Sequence, residues 1–130
     1  MTDPIADFII RIKNATMAGN RNVTAPHSKV KEALAHILQK QGWVSKVEVI
    51  EKDGKKDLVL TLGEIKGGAV RSIEVKRISK PGRRVYVKAK DIKSVARGLG
   101  TVIVSTPSGL MTDREAMAKK LGGEVVCRII

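Results

Sequence analysis

The stretch Val47-Glu-Val-Ile-Glu-Lys-Asp-Gly-Lys-Lys-Asp-Leu-Val-Leu-Thr-Leu62 decides the fold class of this chain. On both sides of Asp53-Gly54, apolar residues alternate with charged or polar ones, which is the period of a β-strand. Asp-Gly between two such runs is a strong signal for a two-residue hairpin turn. Before Gly42 the apolar period is helical instead. The sequence therefore predicts an α+β fold.

Two helices and a short extended piece are expected before this hairpin. Asp3 before Pro4 is a helix-start signal, and the apolar spacing that follows predicts a helix from about Pro4 to Ala18. Val23 to Ala25 predicts an extended piece, and Ser28 a second N-cap. The apolar stripe expected on the second helix, which ends near Gly42, consists of Val30, Ala33, Leu34, Ile37 and Leu38.

Gly63 to Gly68 is the clearest boundary in the chain, and it predicts an N-terminal α+β domain over 1–64 and a C-terminal basic domain over 69–130. We expect two compact halves, the first helix–strand–helix–hairpin and the second mostly β with a short helix. The elements expected in the second half are strands at Val70–Ile78 and Arg83–Lys88 around a type II turn at Pro81-Gly82, a short helix at Asp91–Gly98, a buried strand at Thr101–Ser105, a helix capped by Thr112 and Glu115 that ends at Gly122-Gly123, and a last strand at Glu124–Ile130.

Charge is the most informative property of the composition. The 130 residues include 25 Lys and Arg against 13 Asp and Glu, a net charge of +12. The excess is concentrated in residues 66–97, which hold 11 basic residues and only Glu74 and Asp91 as acids. A merely solvated basic face is one explanation. The concentration in one stretch favours a surface that meets phosphates.

Enzyme classes lack their usual motifs here. His27 and His36 have no zinc-site spacing, no phosphate-binding glycine loop is present, and Cys127 lies among apolar residues. We therefore expect no catalytic residue, no metal and no cofactor. A single cysteine cannot form an internal disulfide. The sequence also has no membrane-length apolar run and no secretory signal. Together these features predict a cytoplasmic protein.

Three features could contact a nucleic acid. The loop Ser105-Thr-Pro-Ser-Gly109 offers small hydroxyls, and the helix start near Thr112 adds a positive dipole end, although an ordinary strand–helix connection explains this segment equally well. A second group of residues flanks the Pro81-Gly82 turn, namely Arg77, Lys80, Arg83, Arg84, Lys88 and Lys90, with Tyr86 among them. Third, Lys29 and Lys31 occupy the first turn of a helix, where the dipole disfavours cations, so an anionic partner or chance would explain them.

The scarcity of aromatic residues narrows the kind of nucleic acid. Phe8, Trp43 and Tyr86 are the three aromatics, and single-strand binders stack bases on several. Recognition of a folded duplex through its backbone, groove shape and 2′-hydroxyls is the better expectation. A protein-interaction or general DNA-binding architectural module is the competing interpretation, and an enzyme is a more distant one.

Four segments resemble the bacterial small-subunit ribosomal protein eight family. They are Asp3-Pro-Ile-Ala-Asp-Phe-Ile-Ile-Arg-Ile-Lys-Asn14, Arg77-Ile-Ser-Lys-Pro-Gly-Arg-Arg-Val-Tyr86, Gly100-Thr-Val-Ile-Val-Ser-Thr-Pro-Ser-Gly-Leu-Met-Thr-Asp-Arg-Glu-Ala116 and Gly122-Gly-Glu124. The similarity spans the whole chain, and the Ser-Thr-x-x-Gly-x-Met-Thr pattern is specific.

The resemblance implies a non-enzymatic primary binder of small-subunit ribosomal RNA that acts in the central domain during platform assembly. It maps the family's contact loop onto Ser105, Thr106, Ser108 and Gly109, its tyrosine onto Tyr86, and its basic helix start onto Lys29 and Lys31. Pro107 departs from the family, which usually has a third hydroxyl there. Implied partners are ribosomal proteins five and twelve and, in some members, the messenger RNA of their own operon.

Overall fold

The computed structural model describes residues 4–63, 75–92 and 100–129, and these form two compact units with a sheet each. Both sheets are antiparallel and both units carry helices, so the predicted α+β class is confirmed. The helix start at Asp3, the boundary Gly63–Gly68 beyond its first residue, residues 70–74 of the expected strand Val70–Ile78, and residues 93–98 of the expected short helix lie outside the described residues. The domain limits at 64 and 69 therefore stay a prediction.

The N-terminal unit has the predicted order of elements. Its helices are α1 (Pro4–Ala18) and α2 (Lys29–Lys40), and its strands are β1 (Asn22–Pro26), β2 (Val44–Lys52) and β3 (Lys55–Leu62), in the order β1-β3-β2. At the β2–β3 turn, Asp53 has a φ of 54° and Gly54 a φ of 76°, as a type I′ hairpin turn requires. The hairpin prediction is confirmed.

The buried face of α2 contains Leu34, Ile37 and Leu38 as predicted, with Lys31 and Ala35 in place of Val30 and Ala33. Val30 is 47% exposed, whereas Lys31, Leu34, Ala35 and Leu38 are buried at i, i+3, i+4 and i+7. A lysine can take an apolar position because its stem packs while its amine finds an acceptor. The Lys31 amine does so by donating to the Pro26 carbonyl oxygen at 3.1 Å.

The C-terminal unit is built around its last strand. Its strands are β4 (Val75–Arg77), β5 (Tyr86–Val87), β6 (Thr101–Thr106), β7 (Gly109–Thr112) and β8 (Gly123–Ile129), with a 3-10 turn at Ala89–Asp91 and helix α3 (Asp113–Lys119). The sheet order is β4-β8-β6-β7, and β5 pairs with β8 at Glu124 and Gly123, further along the edge that β4 occupies. The core cluster of this unit contains Ile92, Val102, Val104, Met111, Ala116 and Val125.

Four local predictions in this unit are wrong. The strand expected at 83–88 is restricted to Tyr86–Val87. The turn at Pro81-Gly82 is not of type II, because that type needs a positive φ at Gly82 and Gly82 has none. Helix α3 ends at Lys119 rather than at the glycine pair, since Lys120 itself adopts the left-handed conformation with a φ of 56°. Finally, the segment after Ser105 is a hairpin turn between β6 and β7, not a strand–helix loop.

Candidate nucleic-acid interface

A row of side chains crosses the sheet of the C-terminal unit on the face away from its core cluster. Tyr86 on β5 pairs with Glu124 on β8, and Glu124 pairs in turn with Ser105 on β6. Directly paired residues point to the same face, while their neighbours Val87 and Val125 point to the core. Two strand spacings put Tyr86 about 10 Å from Ser105. Tyr86 is 71% exposed, so its phenol is the most accessible group of the row. The Glu124 carboxylate and the Ser105 hydroxyl are only partly exposed beside it.

The β6–β7 hairpin turn lies at one end of this row. Hydrogen bonds of the Thr106 side chain stabilise the turn. The Thr106 hydroxyl donates to the Gly109 carbonyl oxygen at 2.9 Å and accepts from the Ser108 amide at 3.1 Å. Thr106 is only 8% exposed, whereas Pro107, Ser108 and Gly109 are exposed. Of the two hydroxyls in the predicted contact loop beyond Ser105, Ser108 is therefore the one available to a partner.

Gly109 is suited to its place in the turn by its backbone. Its φ is 110°, a conformation that side chains strain to adopt, and nothing stands within 4 Å of where a Cβ would be. Pro107, which replaces the usual hydroxyl residue, projects at the exposed tip. Its fixed φ stiffens the turn between the Thr106 hydroxyl and the Gly109 carbonyl.

Thr112 does not present its hydroxyl or its helix end to a partner. It is 3% exposed, and its hydroxyl caps α3 by accepting from the Glu115 amide at 3.2 Å. The first turn of α3 also carries Asp113 and Glu115, and a carboxylate there already complements the positive end of the dipole. The expected attraction for phosphate near Thr112 is therefore offset by these two acids.

A basic turn lies next to the row, and we define it as Lys80–Arg84. Two backbone hydrogen bonds of 2.9 Å join Lys80 and Arg83 and close the turn around Pro81-Gly82. Sequence reasoning missed the residue that anchors it. The Ser79 hydroxyl, fully buried, accepts from the Val85 amide at 2.8 Å and donates to the Val85 carbonyl oxygen at 3.3 Å. In the sequence, the only sign of this anchoring role is that a serine immediately precedes the basic turn.

The predicted cations around this turn are not equivalent. Lys80, Arg83 and Lys88 are exposed, and they form no ion pair with the described residues. Arg84 is exposed too, but its guanidinium forms an ion pair with the Glu124 carboxylate at 3.2 Å. Arg77 donates to the Val126 carbonyl oxygen at 2.6 Å and so braces β4 against β8. Fewer of these basic side chains are therefore available to phosphate than the sequence predicts.

The predicted basic helix start in the N-terminal unit is reduced in the same way. Lys29 is exposed, but Lys31 is 6% exposed and its amine is bonded to Pro26. Lys31 therefore connects α2 to the end of β1, and Lys29 is the surface cation of this pair.

Two other groups of residues bear on the chemistry of the described ranges, namely candidate metal ligands and the single cysteine. They contain no group of three or more His, Cys, Asp or Glu side chains that could hold a metal ion. Burial raises the pKa of the Cys127 thiol to about 12, so its reactive thiolate is not formed at neutral pH. Across the same ranges, every helix is too short or too polar to cross a lipid bilayer.

Comparison with known proteins identifies the family of this chain. The sequence profile described as "Ribosomal protein S8" matches residues 3–130. The chain is 49% identical over 127 residues to "Small ribosomal subunit protein uS8" of Dechloromonas aromatica, covering 98% of this chain and 96% of that protein. A protein of the same description from Streptococcus mutans is 49% identical over 126 residues, covering 97% and 96%. The chain therefore belongs to the ribosomal protein S8 family.

Proposed function

We propose that this chain is a structural constituent of the small ribosomal subunit that binds ribosomal RNA through its C-terminal unit. The family consists of structural ribosomal proteins and not of enzymes, and its members are located in the cytoplasmic ribosome. The observation that carries the binding face is the row Tyr86–Glu124–Ser105 with the basic turn beside it.

The chemistry of this face suits a folded RNA helix. Lys80 and Arg83 supply positive charge for phosphates without reading sequence. Tyr86, Ser105 and Ser108 supply hydroxyls that can bond ribose 2′-hydroxyls and base edges across a shallow minor groove. A single exposed tyrosine on this row is too few aromatics for a base-stacking platform.

The finer assignments of the RNA and of the partners belong to this proposal as well. We infer that the RNA is a helix of the central domain, bound early so that it helps to organise the platform. Neighbouring ribosomal proteins five and twelve, and the chain's own operon messenger RNA, are the further partners proposed. The support for all of these is membership of the family.

Competition binding tests the proposed function. The wild-type chain should bind an isolated central-domain helix at least about a hundredfold more tightly than a random RNA duplex of equal length. Equal affinity for the two would favour a general architectural module instead.

The role of the basic turn is tested by the dependence of binding on salt. Each phosphate contact contributes about −0.9 to the slope of log affinity against log salt in duplex DNA, and a similar size is expected here. Arg83→Ala should reduce the slope by about one such contact. An unaltered slope would place Arg83 outside the interface.

A further inference from the structure

Glu124 is the acid at the centre of a surface that is otherwise cationic and hydroxyl-bearing. It lies directly between Tyr86 and Ser105 in the pairing of three strands. Its side chain is 19% exposed, so it is set into the sheet rather than extended into solvent. A carboxylate in this position repels phosphate, so phosphate binding alone gives no reason for an acid there.

The Glu124 carboxylate also holds Arg84. One guanidinium nitrogen of Arg84 lies 3.2 Å from one carboxylate oxygen and 3.5 Å from the other. The Arg84 side chain is 47% exposed and could otherwise reach outward, as Arg83 does with no ion pair among the described residues. The pair thus neutralises the Arg84 charge beside the row and holds its guanidinium against Glu124.

An ionised carboxylate discriminates among the groups of a nucleic acid because it accepts hydrogen bonds and donates none. Phosphate oxygens, base carbonyls and ring N7 atoms are acceptors and are rejected. Exocyclic amino groups of bases and ribose 2′-hydroxyls are donors and are accepted. The flanking Tyr86 and Ser105 hydroxyls can both donate and accept, so Glu124 is the selective member of the row.

We propose that Glu124 is a specificity-determining residue of the RNA interface: it keeps Arg84 from backbone phosphates and accepts a hydrogen bond from a donor group in the RNA minor groove. This inference rests on the proposed function. It makes the centre of the row a reader of donor groups, while Lys80 and Arg83 in the basic turn supply the sequence-independent attraction.

The test compares Glu124→Gln with Glu48→Gln. Glu48 lies in the N-terminal unit and forms an ion pair with Lys46 at 2.8 Å, so both variants lose one negative charge and one surface ion pair. Glu124→Gln should weaken binding to the ribosomal helix about tenfold through loss of a charge-assisted hydrogen bond. It should strengthen binding to a random duplex and steepen the salt slope by about one phosphate contact, because Arg84 is released. Glu48→Gln should leave the ratio of the two affinities unchanged.

Two further experiments test whether released Arg84 causes the gain for random duplex and which RNA group donates the hydrogen bond to Glu124. Adding Arg84→Ala to Glu124→Gln should abolish the gain for random duplex. Helices carrying 2′-deoxy substitutions, or inosine in place of guanine, at the nucleotide that Glu124 reads should lose more affinity for the wild type than for Glu124→Gln, whose amide oxygen accepts only a weaker, neutral hydrogen bond. The first substitution reports a ribose hydroxyl and the second an amino group.

The outcomes separate this inference from the proposed function. If Glu124→Gln keeps the wild-type preference for the ribosomal helix, or shifts it no more than Glu48→Gln does, the inference is wrong while the proposed function stands. A wild-type chain without that preference would overturn both. Circular dichroism of each variant establishes that it folds, and Glu124→Asp, which keeps the charge, should retain the low affinity for random duplex.

Discussion

The backbone carbonyl of Ser105 stands where a side chain on Gly123 would have to be. An ideal Cβ on Gly123 would lie 2.8 Å from the carbonyl carbon of Ser105 and closer still to its oxygen. Gly122 is confined in the same way by the backbone at the end of β5 and just after it, since its Cβ would lie 3.0 Å from the Lys88 Cα and closer still to the Val87 carbonyl oxygen. The glycine pair therefore lets β8 begin between β5 and β6, which is what brings Tyr86, Glu124 and Ser105 into one row.

Gly123→Ala should lower both stability and RNA affinity. The added methyl group forces the Ser105 backbone away from β8, and such overpacking costs roughly 1–3 kcal/mol in the free energy of unfolding. Denaturant unfolding and RNA binding measure the two effects. Gly19→Ala is the contrast, because at a φ of 75° it costs backbone strain but its Cβ would meet nothing within 4 Å. Wild-type RNA affinity in Gly123→Ala would contradict the close approach as a requirement of the interface.

Alanine variants of Thr106 and Ser108 should differ in their effects on folding stability and on RNA binding. Thr106→Ala removes the two hydrogen bonds that close the β6–β7 turn and should lower the free energy of unfolding by about 1 kcal/mol, and RNA affinity with it. Ser108→Ala should change that free energy by less than about 0.5 kcal/mol yet still weaken RNA binding, because its side chain is exposed. Thr106→Ser keeps the hydroxyl and should restore both properties. Equal losses of stability in the two alanine variants would refute this division.

Glu32 should make the N-terminal unit sensitive to acid. Its carboxylate receives hydrogen bonds from His27 Nε2 at 2.7 Å and His36 Nε2 at 3.3 Å. These bonds, the one from His27 foremost, hold the pKa of Glu32 below its usual value of 4.5. A carboxyl with a lowered pKa in the folded state contributes stability above its unfolded pKa, and this contribution is lost as the pH falls through the folded value.

Denaturant unfolding of Glu32→Gln at about pH 6 and about pH 3 checks this expectation. The variant should be less stable than the wild type at the higher pH, and the difference should shrink at the lower one. Glu51→Gln, in an exposed position of β2, is the matched control and should show no such change. A deficit of Glu32→Gln that stays constant between the two pH values would rule out the carboxylate's ionised form as its cause.

Cys127 should not react with alkylating reagents in the folded chain. It is fully buried on β8, and burial raises the pKa of its thiol to about 12. Because the native state keeps this proton where the unfolded state loses it, stability should fall as the pH rises from the usual thiol range towards the folded pKa. Alkylation at about pH 8 should proceed only in step with denaturant unfolding. Reaction at the rate of a free thiol in native buffer would contradict the burial.

Sequence by itself determined the elements whose signals are local. The α1 limits, the Ser28 cap, the type I′ turn at Asp53-Gly54 and the Thr112 cap each depend on residues within about four positions of one another. The hydrophobic period distinguished helix from strand for the same reason. The family followed from motifs that are contiguous in the chain.

Tertiary structure alone decided which of the predicted site residues face outward. Lys31 and Thr106 have side chains typical of a binding surface, but the folded chain buries both, and their polar atoms bond to nearby backbone carbonyls instead of facing outward. Glu124 and Ser105 are far apart in sequence and meet because β8 pairs with β6. Sequence patterns report the period of an element, whereas strand pairing and burial depend on contacts between distant segments. For that reason the composition could show that this chain is basic but could not place Tyr86, Glu124 and Ser105 in one row.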